Sequence, residues 1–120
     1  MVHKLAHIRD LESFAIPDPV TKKNLLEFLQ TLDSEYGDSR NVEEDDGGYV
    51  LYCDPGTRPE ELKALFDYSA HTLEYVNRDF NASPPICNAM YLFNNEYAVV
   101  IVMSIADAPE EITEAFEEGY

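Results

Sequence analysis

The chain has 120 residues, of which 24 are acidic and 8 basic, giving a formal net charge of −16, and 45% of it is apolar. That length suits one domain able to bury a core without disulfides or a metal, and that apolar share argues against global disorder. The charge disfavours direct docking on nucleic-acid phosphates or anionic lipid headgroups; it favours a basic partner, or serves solubility alone.

The chain reads as a single α+β domain over residues 1–120, opening on an ambiguous segment, 1–16. Leu5, Ile8, Leu11 and Phe14 recur every three residues, which suits a helical turn or an irregular docking arm, and Pro17 and Pro19 end it. If residues 3–10 were helical, His3, His7 and Asp10 would share a face at a metal-ligand spacing, but no fourth ligand follows, so neither metal nor cofactor is expected. Met1-Val-His-Lys lacks the apolar stretch of an export signal, and nothing approaches the ~20 apolar residues of a membrane span. The expected compartment is the cytoplasm, with Cys53 and Cys87 as buried thiols rather than a disulfide.

Pro19 to Tyr36 has the signature of a helix. Asp18 can cap it, Pro19 fits its first turn, Leu25, Phe28, Leu29, Leu32 and Tyr36 line one face, and Gly37 stops it. Residues 38–48 are polar and end in Gly47-Gly48, so they read as an exposed loop. Tyr49–Cys53 is the first expected strand, broken by Asp54-Pro55-Gly56. A second helix opens at Thr57, with Glu60 at capping-box spacing, and presents Leu62, Leu65, Phe66, Ser69, Leu73 and Val76. It runs to about Arg78 or breaks near His71-Thr72, and Asn81–Pro85 is a connection.

Ile86–Phe93 and Tyr97–Ile105 are the second and third expected strands, joined at Asn94-Asn95. The run Tyr97–Met103 is apolar on both faces and belongs at the sheet centre. A short final helix follows, capped by Asp107, with Pro109 in its first turn, Ile112, Ala115 and Phe116 inward, and its end near Gly119. These elements predict a three-stranded antiparallel sheet of order 1-3-2, two long helices on one face and a short C-terminal helix.

Little catalytic chemistry is visible. Gly47-Gly48 lacks the spacing and the Lys of a nucleotide cradle. Cys53 is the best nucleophile candidate, because it precedes a helix start where the dipole can lower a thiol pKa. Arg58 stands one residue too close for a phosphate-binding Cys-x5-Arg loop, and Asp54 and Pro55 spoil the amide cradle. His71 and Asp67 could complete a cluster with Cys53 only in space. Glu43-Glu44-Asp45-Asp46 lacks the alternating ligands and central Gly of a calcium loop.

The final helix carries the one pattern that stability does not ask for. Glu110 and Glu111 suit its dipole, but Glu117 and Glu118 oppose it. Glu110–Glu114 and Glu114–Glu118 are like-charge pairs, each costing roughly 0.2–0.5 kcal/mol. No Lys or Arg follows Arg78. The expected function is therefore a non-enzymatic, acidic protein-binding or regulatory domain. It would dock a basic protein surface through Glu110, Glu111, Glu114, Glu117 and Glu118, with Glu43, Glu44, Asp45 and Asp46 as a second patch and exposed tyrosines as contact area. Three alternatives compete: a nucleic-acid mimic acting as an inhibitor, a small cysteine-dependent enzyme centred on Cys53, and a homodimer formed through a sheet edge.

Overall fold

A strand whose successive side chains are all apolar must be covered on both faces, and the buried run Ala98–Met103 imposes that condition on the whole architecture. In the computed structural model, which describes residues 1–36, 47–93 and 97–117, the chain folds as α+β around this strand. In chain order the elements are β1 (Val2–Leu5), a 3-10 helix (Ile8–Ser13), α1 (Pro19–Tyr36), β2 (Gly47–Cys53) and α2 (Pro59–Leu65). A second 3-10 turn (Tyr68–Ala70), β3 (Tyr75–Asp79), β4 (Ile86–Phe93) and β5 (Tyr97–Ser104) follow, then a third turn (Ile105–Asp107) and α3 (Glu110–Glu117). The sheet order is β1-β2-β5-β4-β3.

Helix α1 covers one face. Asp18 starts it as expected: its Oδ2 accepts from the Thr21 amide at 2.9 Å and the Thr21 hydroxyl at 2.7 Å. Those bonds, the hydroxyl's foremost, hold the Asp18 carboxyl below its ordinary pKa. Leu25, Leu29 and Leu32 are buried against Val50, Tyr52, Ala98, Val100 and Val102. Alternation sends Tyr49, Leu51, Cys53, Val99, Ile101 and Met103 to the opposite face, where Leu62 of α2 and Ile112 and Ala115 of α3 close over them.

The expected three-stranded antiparallel sheet is corrected to a five-stranded mixed one. Residues 2–5 are a strand, pairing antiparallel with β2 from Val2↔Cys53 to Leu5↔Val50. The three-residue spacing of Leu5, Ile8, Leu11 and Phe14 straddles this strand and a 3-10 helix, whose period is three. The second helix ends at Leu65, far short of Arg78, because Phe66 is already extended and the Ser69 hydroxyl bonds the Asp67 carboxylate at 2.6 Å in the turn that follows. Its start also shifts, since the Arg58 amide donates to Glu61 Oε2 at 2.8 Å in place of a Thr57–Glu60 box.

Residues 75–79 then form an edge strand paired antiparallel with β4. This extra pass reverses every later strand. Hence β5 runs antiparallel to β4 but parallel to β2, from Gly47↔Tyr97 to Tyr52↔Val102. It also leaves α1 alone on its face, with α2 and α3 on the other. Asp107 does not cap α3. Its Oδ2 accepts from the Gly56 amide at 2.7 Å and ties the lead-in of α3 to the turn after β2.

The parallel pair demands a glycine at position 48, where φ is +92° and a Cβ would overlap the backbone of Ala98. Gly48→Ala is expected to cost about 2–6 kcal/mol, from left-handed strain plus overlap. Gly56→Ala, at φ +90° with nothing within 4 Å, should cost only the strain, about 1–3 kcal/mol. Urea unfolding of both variants checks this, and equal losses would contradict the close approach of β2 to β5.

Candidate functional site

Helix α3 is short and two-sided. Ile112 and Ala115 are buried, while Glu110, Glu111, Glu114 and Glu117 stand exposed on the outer side. Glu118 and the second expected patch, Glu43, Glu44, Asp45 and Asp46, lie outside the described residues. Among the described residues, Lys23–Glu27 on α1, at 4.0 Å, is the one ion pair joining a Lys or Arg to a carboxylate. The α3 glutamates Glu110, Glu111, Glu114 and Glu117 therefore have no salt-bridge partner among the described residues.

Carboxylates from other elements join them. The buried phenol of Tyr68 has its pKa raised, first by burial and then by the charges of Glu111, Glu60 and Asp67. Those three come from α3, the first turn of α2 and the segment after α2, so three stretches of chain bring negative charge to one place on this face. Two cations border it. Lys63 lies 5.4 Å from the Tyr68 ring centre, and Arg78 of β3 lies 5.0 Å from that of Phe116. Thus no base lies within α3, but β3 sets one beside its last turn. The sequence reading gave Glu60 a capping role and Asp67 a place beside Cys53, and put neither on an acidic face, although Glu60-Glu61 at a helix start was a visible signal.

The aromatic contact area differs from expectation. Tyr49, Tyr52, Tyr68 and Tyr91 are buried, and Tyr75 is half exposed. Leu65, at the end of α2, and Phe80, after β3 and with the Arg78 guanidinium 5.7 Å from its ring centre, are among the large apolar groups left exposed.

Cys53 is 2% exposed, and burial pushes its thiol up to about 12. A nucleophilic thiolate needs the reverse shift, so desolvation outweighs any pull from the amino end of the seven-residue α2. The charges acting on Cys53 include Asp54 and Asp107; no histidine is among them. His71 stacks on Phe66 at 5.0 Å instead. Cys87 is likewise buried and free, paired with Met103 on β5, and β5 separates it from Cys53. The His3, His7 and Asp10 spacing does not gather: His3 Nε2 meets Asp54 at 3.0 Å, His7 Nδ1 meets Asp33 at 3.4 Å, and Asp10 caps the Ala6 and His7 amides.

A cavity of about 190 Å³ opens where the carboxyl ends of β2 and β5 meet the start of α1. Its polar wall comprises Asp18 and Thr21 from the start of α1, Tyr52 and Asp54 from the end of β2, and Ser83 and Ser104, drawn from segments that no local pattern links. The His3 ring stacks on Phe14 at 4.0 Å beside Tyr52, and so braces Asp54 from behind. Parallel strands ending at a helix start commonly build such a crevice.

Comparison with protein-family models, curated proteins and solved structures finds no match. Among the described residues, no helix is long and apolar enough to cross a membrane, and no cluster of three His, Cys, Asp or Glu could hold a metal ion.

Both thiols rise from an ordinary 9.0 to about 12. The native state keeps these protons while an unfolded chain releases them from about pH 9. Stability should therefore be full below pH 9 and fall towards pH 12, by up to about 1.4 kcal/mol per pH unit per thiol. Urea unfolding across that range should show a shallower fall in the Cys53→Ala, Cys87→Ala double variant. Iodoacetamide at pH 8 should label wild-type thiols only after denaturation, and rapid native labelling of Cys53 would restore the nucleophile reading.

Proposed function

We propose that this chain is a non-enzymatic protein-binding domain whose acidic α2–α3 face docks a basic surface of another protein. The observation that carries this reading is that Glu60, Asp67 and Glu111, from three stretches of chain, all act on the Tyr68 phenol, while Glu110, Glu114 and Glu117 stand exposed on the same helix as Glu111. These carboxylates come from separate elements and lack ion-pair partners among the described residues. Their mutual repulsion costs folding free energy, and a positive partner offsets it. Leu65 and Phe80 supply apolar area beside the charges. Lys63 and Arg78 at the border give the face a register, since a partner must place its own charges to avoid them.

The mimic reading draws less support, because the body measures 36 × 32 × 25 Å, far from the rod that a duplex presents. The cysteine-enzyme reading draws less still, with its thiol buried and protonated.

Capture from native lysate at low salt, with wild type beside the Glu110→Gln, Glu111→Gln, Glu114→Gln, Glu117→Gln variant, tests the docking. Wild type should retain a basic protein that the variant does not, and retention should weaken on the order of tenfold or more as salt rises beyond physiological strength. The variant should fold with stability close to that of wild type, because losing Glu110 and Glu111 from the first turn of α3 offsets the relief of the Glu110–Glu114 and Glu114–Glu118 pairs. Retention indifferent to both salt and the four substitutions would refute the reading.

A further inference from the structure

The cavity at the ends of β2 and β5 has a wall whose hydrogen-bonding capacity is unspent. Tyr52 is 6% exposed and Ser104 is 5% exposed, and neither hydroxyl has a hydrogen-bond partner among the described residues. Alternation along β2 and β5 turns both side chains towards α1, the side on which Asp18 and Thr21 stand. The two side chains are buried but their hydroxyl oxygens open into the cavity, where a ligand that bonds them takes the place of water.

The charges select the ligand. Asp18 and Asp54 both line the cavity, and both act on the Tyr52 phenol, whose pKa burial raises first. Asp18 Oδ2 is occupied by Thr21. Asp54 Oδ2 meets His3 Nε2 at 3.0 Å, while Asp54 Oδ1 has no hydrogen bond among the described residues. An anion would meet two carboxylates. A hydrocarbon would leave the hydroxyls and Asp54 Oδ1 unpartnered. An ammonium or guanidinium group has several N–H donors and no acceptor, the complement of a wall made of acceptor oxygens. The remaining wall, including Pro17, Pro84 and Ile86, suits a short alkyl stem, and about 190 Å³ holds one such group.

We propose that this cavity is a binding site for a single organic cation, an alkylammonium or alkylguanidinium group lodged between Asp54, Tyr52 and Ser104. The site lies at the end of the sheet beside α1, apart from the acidic α2–α3 face, and does not depend on the docking reading. A free amine and a Lys or Arg side chain offered by a protein share this chemistry.

Titration of the 15N-labelled chain at fixed ionic strength tests it, with n-butylammonium and n-butylguanidinium as probes and n-butanol and butyrate as neutral and anionic counterparts. The two cations should shift Tyr52, Ser104 and Ile86 saturably, while butanol and butyrate should not. Asp54→Asn should weaken cation binding about tenfold or more, and Ser104→Ala should weaken it less. Asp54 enters its turn through backbone bonds to Thr57, so Asp54→Asn should keep the wild-type spectrum elsewhere. Should it not, the Ser104→Ala titration and the butanol comparison still decide. The four-glutamine variant of α3 should bind the cations unchanged, which separates this site from the docking face. A Gly-Lys-Gly peptide binding as tightly as butylammonium identifies a side chain as the natural occupant; its exclusion while butylammonium binds identifies a free amine. Equal shifts from butanol, shifts confined to α3, or an unaltered affinity in both cavity variants would overturn the site.

Discussion

The structure depends on one pairing, the parallel contact of β2 with β5. Both strands are apolar on both faces, so water must be excluded from two sides, and a single layer of helices cannot do that. The demand for a second layer fixes the rest: α1 on one side, α2 and α3 on the other, with β4 and the shorter edge strands β1 and β3 extending the sheet outward. Gly48 marks how closely the pair approaches. The ends of the same two strands open the cavity, and the layer over their other face carries the acids.

Core and surface thus divide the work. The buried set is almost wholly apolar, with His7, Thr21, Thr57, Asn88 and Ser104 as its polar members. Dispersion and burial across two layers must outweigh the self-repulsion of a −16 chain. The carboxylates are then free of structural duty on α3, where only Ile112, Ala115 and Phe116 hold the helix down. Asp18, Asp107 and Asp10 show the contrast: each spends its carboxylate on backbone amides, and each belongs to a joint in the fold. The side-chain carboxylates of Glu110, Glu111, Glu114 and Glu117, by contrast, accept no hydrogen bond among the described residues.

The sequence disclosed the elements with a strong period or a double-sided apolar run. α1 stands where Leu25, Leu29 and Leu32 put it, α3 where Ile112 and Ala115 do, and β5 lies inside the sheet. What it concealed were the edges. β3 buries only Val76, so its alternation is silent, and that residue also fits a helical face. β1 has four residues and runs into a 3-10 helix. Missing β3 inverted the direction of everything after it, which is why the parallel pair was not foreseen. The α3 glutamates were legible as an anomaly of spacing, whereas Glu60 and Asp67 join them only through tertiary packing. The cavity was invisible for the same reason: Asp18, Tyr52, Asp54 and Ser104 meet only once the strands are in register.

The account holds that a partner sits on the α2–α3 side of the sheet. Hydrogen–deuterium exchange on the complex with the captured basic protein locates the contact most directly. Protection is predicted at Pro59–Leu65, at the turn around Tyr68 and along Glu110–Glu117, with α1 exchanging as in the free chain. Protection confined to α1 or to the β3 edge, with α2 and α3 untouched, would contradict the account.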